Sequence, residues 1–200
     1  MNTAHNKHSS RWMRTHHAIE RAFVEMLSNH SPDDITVSSL TQHARIHRKT
    51  FYLHFTSIDD VYEDYVQTLA HQYSEIIRDL PLPYDYYTLS RIMFDFYTQS
   101  KQVEKIFTHP RYRALADQFI IHTTKSNRLR YNPYKNFTED EQELINTFVV
   151  YSSVNVFRRW ALSGKKVPRE RTIQILGDLL EQGVAPARAP YTPSKDTNEQ

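Results

Sequence analysis

ITVSSLTQHARIHRKTFYLHF, residues Ile35 to Phe55, holds three cations (Arg45, Arg48 and Lys49), three histidines (His43, His47 and His54) and no carboxylate. Val37, Leu40 and Ala44 recur three and four apart, the period of a helix, and Thr36 stands just before them as a capping hydroxyl. A second short helix is predicted from His47 or Arg48 to His54. Small Ala44 lets the two helices approach, and Leu40, Ile46, Phe51 and Phe55 lock them together. Arg48, Lys49, Thr50, Tyr52 and His54 are then turned outward. These are the mechanics of a helix-turn-helix, whose second helix can enter a DNA major groove with its first residues near base edges and its later polar residues at phosphates. A solvated charged face on an ordinary helical hairpin has the same pattern, so both readings stand at this point.

Working outward, the apolar residues Ala18, Ile19, Ala22, Phe23, Met26 and Leu27 give one sticky face to a helix from Ser10 to about Asn29. Ser57 and Asp60 resemble a capping box, opening a long helix to Leu80. LPLPY (80–84) breaks it, because two prolines in four residues cannot continue a helix. Helices follow over Tyr86–Ser100, Gln102–Thr108 and Arg111 to about Arg128; RYNPYKNF is a loop. Thr138 and Glu141 form a capping-box pair for a helix to about Leu162, and a last helix spans about Arg169 to Gln182. The expected fold is all-α, with about nine helices. Residues 1–57 form an N-terminal arm and three-helix head, 58–184 a helical body for ligand binding and dimerisation, and 185–200 a disordered tail.

Composition narrows the function classes. The 200 residues, 39% of them hydrophobic, suffice for one well-buried domain or a small head on a larger body. With no cysteine there is no disulfide framework, thiolate metal site or thiol catalysis, and a cytoplasmic protein is expected. The N-terminal residues lack the apolar core of a signal peptide, and no apolar run approaches membrane-spanning length. The net charge is only +2, so distribution matters: no carboxylate lies between Asp34 and Asp59. The three glycines, Gly164, Gly177 and Gly183, all lie late in the chain and leave no phosphate-cradling loop. TEDEQEL reads as an acidic helix start rather than a catalytic pair. No enzyme is expected.

RTHHAIERAFVEML, the opening stretch and the long helix after it resemble the DNA-binding head of the TetR/AcrR family of bacterial transcription regulators, over Arg14 to about Leu69. RKTFYLHF is the specific part. The resemblance implies that Thr36 touches phosphate, that Arg48, Lys49 and Thr50 face bases or nearby phosphates, and that Tyr52 and His54 hold the sugar-phosphate backbone. With Arg45 and His47 beside them, the expected DNA-contacting set is Thr36, Arg45, His47, Arg48, Lys49, Thr50, Tyr52 and His54. Two positions depart from the family pattern. Arg45 stands where glycine is frequent, at a cost of about 1 to 2 kcal/mol if left-handed. Ile58 replaces a frequent phosphate-contacting lysine, which leaves Lys7, Arg11 and Arg14 to supply charge from the N-terminal arm.

In the body, Tyr62, Tyr65, Phe94, Tyr97, Phe119 and His122 are candidates for a small-molecule pocket, against the alternative that these rings only fill a core. The helix LINTFVVYSSVNVFRRWALSG is apolar nearly all round, so it must be buried nearly all round. A partner chain would supply the second cover, making Phe148, Tyr151, Phe157, Trp160, Ile173, Leu176 and Leu180 the expected dimer interface; a central helix within one subunit is the alternative. His16 or His17 with Glu20, and His71 with Glu75, have chelating spacing, but two ligands are too few, and neither metal nor other cofactor is expected. Together these readings describe a homodimeric repressor, released from a near-palindromic double-stranded operator by a small-molecule effector. A TetR-like activator, or a helical ligand-binding or enzymatic protein without DNA activity, is the alternative.

Overall fold

The computed structural model describes residues 3–113, 117 and 131–184, and contains eight α-helices and no strand among them. They are α1 (Thr3–Asn29), α2 (Val37–His43), α3 (Arg48–Phe51), α4 (Ile58–Arg78), α5 (Tyr86–Tyr97), α6 (Lys101–Thr108), α7 (Glu139–Leu162) and α8 (Arg169–Val184). The all-α expectation holds, and the predicted starts of α2, α5, α7 and α8 agree with the structure. The helix expected over Arg111 to Arg128 falls mostly outside the described residues, as does the tail from residue 185.

Capping explains most helix starts. Thr36 and Ser39 form a reciprocal capping box at α2, and Thr138 and Glu141 form another at α7. Asp85 accepts from the Thr88 amide at 2.6 Å to start α5, while Ser100 accepts from Val103 at 3.2 Å to start α6. Two expectations need correction. The segment before Ser10, read as an arm preceding the first helix, continues α1 back to Thr3, and α3 ends at Phe51 rather than His54, the residues after it forming turns.

Packing groups the chain differently from the functional boundary expected at residues 57 and 58. Residues 3–71 and 99–113 form one compact unit; residues 72–98 and 131–184 form another. The α4 helix is unbroken across that division. In the first unit, Phe23, Leu27, Leu40, Phe51, Val61 and Ile106 are fully buried. Lys105 of α6 donates to the carbonyls of Leu27 at 2.7 Å and His30 at 3.2 Å, supplying the C-terminal cation that α1 itself lacks.

In the second unit, Phe157 packs edge-on to Phe94 at 5.3 Å and to Tyr97 at 5.0 Å, and Trp160 lies 5.2 Å from Phe94. Helices α5 and α8 pair along their lengths. Gly177 makes this possible: a Cβ there would collide with the Tyr87 ring, whose hydroxyl donates to Asp178. Arg91 to Glu170 at 2.6 Å adds a surface tie between the same two helices.

Candidate nucleic-acid interface and cavity

The short α2 and α3 bury Leu40 and Phe51 completely, with Ile35 and Phe55 nearly so. That inward pull turns Thr36, Arg45, His47, Arg48, Lys49 and Tyr52 into an exposed surface, with Thr50 and His54 half-buried beside them. Seven of the eight expected DNA-contacting residues therefore lie on the turn, on α3 or just after it, and Thr36 is the N-cap of α2. Arg45 occupies the turn with φ +52°, the left-handed conformation that glycine adopts without strain. Ile58 is buried at the start of α4, so it supplies packing where the family pattern has a cation.

The cations of this face are unopposed. Among the described residues, Arg45, Arg48 and Lys49 have no carboxylate partner. Two acids near the ends of the run are engaged elsewhere: Arg111 binds Asp59 at 3.0 Å and Asp33 at 3.5 Å. Asp60 accepts from Thr56 and Ser57, whose hydrogen bonds hold its carboxyl below the usual carboxylate range. Arg48 is oriented within the face, donating through Nη2 to the Tyr52 hydroxyl at 3.0 Å. Tyr52 therefore positions Arg48, a role that spacing alone does not reveal.

Behind the face stands a ring stack that sequence reasoning missed. His16 of α1 stacks on Phe55 at 4.6 Å and on Trp12 at 4.9 Å, and Trp12 reaches His54 at 4.6 Å. The only available signal was the four-residue spacing of Trp12 and His16. Burial, and next the neighbouring His16, push the His54 imidazole below its ordinary pKa. His16 also meets Asp64 at 3.0 Å, joining α1 to α4, and Glu20 lies close enough that one ligand atom from each falls within 4.8 Å of the others. The pairing expected to stop at two ligands thus gains a third.

The second unit contains a cavity of about 150 Å³. Six tyrosines line it: Tyr73, Tyr84, Tyr86, Tyr97, Tyr131 and Tyr134. Ser90, Met93, Asn146 and a run of valines on α7 add to the wall, and among the described residues none of the seventeen that line it carries a charge. The Tyr86 and Tyr134 hydroxyls hydrogen-bond each other. Burial pushes the Tyr73 phenol far above its ordinary pKa. Of the residues expected in a pocket, Tyr97 lines this cavity. Tyr62 instead is wholly buried in the first unit, edge-on to Phe23, and Tyr65 also belongs to that unit. Phe94 is a core ring outside the lining, while Phe119 and His122 lie outside the described residues.

The expected interface set also divides. Phe157, Trp160, Ile173, Leu176 and Leu180 are each at most 7% exposed within the single chain, so they have no surface left to offer a partner. Phe148 and Tyr151 do retain surface. The apolar side chains that remain uncovered on α7 and α8 are Leu144, Phe148, Leu162, Ile175 and Leu179. A helix apolar all round is covered on one side by its own unit and left bare on the other.

No family model and no curated protein matches this chain. Solved structures do. A TetR transcriptional regulator from Streptococcus agalactiae 2603V is 20% identical, with a TM-score of 0.66 over 89% of this chain and 99% of that one. A TetR-family transcriptional regulator from Streptomyces coelicolor is 18% identical, with a TM-score of 0.65 over 88% and 82%. The transcriptional regulator FadR from Bacillus subtilis, solved in complex with stearoyl-CoA, is 12% identical, with a TM-score of 0.61 over 83% and 97%. The chain has the all-helical fold of TetR-type regulators.

Proposed function

We propose that this protein is a DNA-binding transcriptional regulator that acts as a homodimer on a near-palindromic operator and answers to a small molecule. One observation carries the reading: the outward face of the helix-turn-helix presents Arg45, Arg48 and Lys49 with no carboxylate partner among the described residues, while Arg111 engages the flanking Asp33 and Asp59. A cluster of cations kept free of carboxylate partners suits a phosphate backbone, and the first residues of α3 suit base edges. Thr36, Tyr52 and His54 then fix the register, Tyr52 by also aiming Arg48.

The uncovered apolar residues Phe148, Ile175 and Leu179 support a second copy as the partner of α7 and α8. A two-fold dimer places two recognition helices on two half-sites, which gives the operator its near-palindromic form. An effector in the cavity of the second unit shifts the population toward the head arrangement it binds better, with α4 as the continuous element running through both units. Repression relieved by the effector is the sign we assign, and the protein works without cofactor or metal in the cytoplasm. Among the described residues no helix is long and apolar enough to cross a membrane.

A mobility-shift assay on duplex DNA tests the reading. With roughly five or six phosphates neutralised per dimer, affinity falls about a thousandfold between 50 and 200 mM salt. A protein that shifts no duplex at the lower salt is a helical ligand-binding protein instead.

A further inference from the structure

We infer that the cavity of the second unit takes an uncharged, single-ring aromatic compound carrying one hydrogen-bonding group, and that Ser90 holds that group; this deepens the effector reading above and rests on it.

Charge comes first. None of the lining residues among those described is ionised at neutral pH, so a carboxylate, phosphate or ammonium entering the cavity would lose its hydration and meet no counter-charge. Size comes second: about 150 Å³ matches a cavity that holds one benzene-scale molecule. Surface comes third, since six tyrosine rings present faces and edges that favour offset-stacked or edge-on packing of another ring.

Ser90 supplies the polar requirement. It is on α5, 3% exposed, and its Oγ has no hydrogen-bond partner. Buried hydroxyls are nearly always partnered, because one left unmet loses its hydration without return. Other polar groups of the wall are engaged. Asn146 donates to the Gln142 carbonyl at 2.6 Å, Ser153 donates to the Val149 carbonyl at 2.6 Å, and Tyr86 and Tyr134 share a hydrogen bond. A residue lining a cavity of one-ring size thus carries an unmet hydroxyl able to donate and accept, and a phenolic hydroxyl or ring carbonyl satisfies it once the Ser90 side chain turns toward the ligand.

Four probes on the full-length protein test the inference by titration calorimetry: p-cresol, toluene, benzoate and benzylammonium. We expect p-cresol to bind about tenfold tighter than toluene and the two ions to bind at least about a hundredfold weaker than p-cresol. Ser90→Ala removes the advantage of p-cresol over toluene, and the unliganded variant melts at or above the wild-type temperature because an unmet hydroxyl is gone. Val150→Trp, which fills the cavity, abolishes both neutral complexes. Benzoate binding as tightly as p-cresol, an unchanged p-cresol preference in Ser90→Ala, or no saturable binding of either neutral probe overturns the inference; the last result leaves water as the occupant. DNA release is read separately. If the probes follow the expected order but leave the DNA complex intact, the ligand class stands and the effector reading falls.

Discussion

The helix-turn-helix face and the cavity of the second unit use opposite devices. On the face, Phe51 and Leu40 are buried so that Arg45, Arg48 and Lys49 can remain in water, free of carboxylates. In the cavity, the seventeen described lining residues are uncharged, and one buried hydroxyl among them is left without a partner. The first arrangement suits long-range, salt-sensitive attraction to a polyanion; the second suits short-range selection by shape and one hydrogen bond. Such sites should respond to different perturbations.

The largest effect expected lies in the apolar part of the second unit. Leu176 is 1% exposed and Leu179 is 60% exposed, one turn apart on α8. Leu176→Asp buries an unpaired carboxylate and costs several kcal/mol, enough to unfold the protein in circular dichroism. Leu179→Asp should instead give a folded chain that sediments as a monomer. If Leu179→Asp remains a dimer, the bare stripe of α7 and α8 is not the interface, and dimerisation must be sought elsewhere.

On the face, salt dependence dominates. If most of the three cations in each subunit meet phosphate, log affinity falls against log salt with a slope of about −5. Lys49→Ala removes one contact per subunit and should flatten the slope by about 2, equally on operator and scrambled DNA. Arg48→Ala should mainly relax preference at one base step of each half-site. Because Arg48 donates to Tyr52, Tyr52→Phe is expected to share part of that relaxation. An unchanged slope in Lys49→Ala would place that ammonium in solvent rather than on the backbone.

A third substitution separates stability from binding within the face. Arg45 has φ +52°, and glycine there removes a left-handed strain of about 1 to 2 kcal/mol. Glycine also enlarges the unfolded ensemble, which offsets part of the gain. Arg45→Gly should therefore melt a few degrees higher while binding DNA more weakly, the opposite signs arising from backbone and charge. Lower stability together with weaker binding would mean that the Arg45 side chain packs rather than pairs.

These residues also show what a linear reading can reach. The head was legible because its determinants are local: Thr36 caps the helix it precedes, and the three cations lie within twenty-one consecutive acid-free residues. Arg111 was not, because it meets Asp33 and Asp59 only after folding brings distant segments together. The cavity was half legible. Tyrosine abundance announced it, but whether Tyr62 faces a cavity or a core depends on which unit α4 serves at that turn, and helical periodicity does not encode that. The expected interface residues divide for a related reason: an all-round apolar helix shows that two covers are needed, yet not which face belongs to which cover. Val154 and Phe157 face their own unit, while Leu144 and Phe148 remain bare.

The smallest expected effect concerns His54, at the junction of the face and the ring stack. Burial, and next His16, lower its pKa in the folded protein below the ordinary imidazole value of 6.5. Between that lowered value and 6.5, the unfolded chain binds more protons than the native one, so native stability rises with pH through this window and declines on acidification. The groups packed against His54 set the sign: Trp12 is neutral, and His16 opposes a second positive charge even though Asp64 pairs with it. His54→Gln removes the titrating group and should flatten the fall in melting temperature between about pH 7 and pH 5, while the fall below about pH 4 persists because Asp60 and the other carboxylates still titrate. DNA gives the converse linkage. If His54 lies against a phosphate, the bound state raises its proton affinity, so operator binding by the wild type should strengthen modestly from about pH 7.5 to 6 and that of His54→Gln should not. Equal pH dependence in the two proteins would remove His54 from the phosphate contacts and leave it as one ring in the stack behind the face.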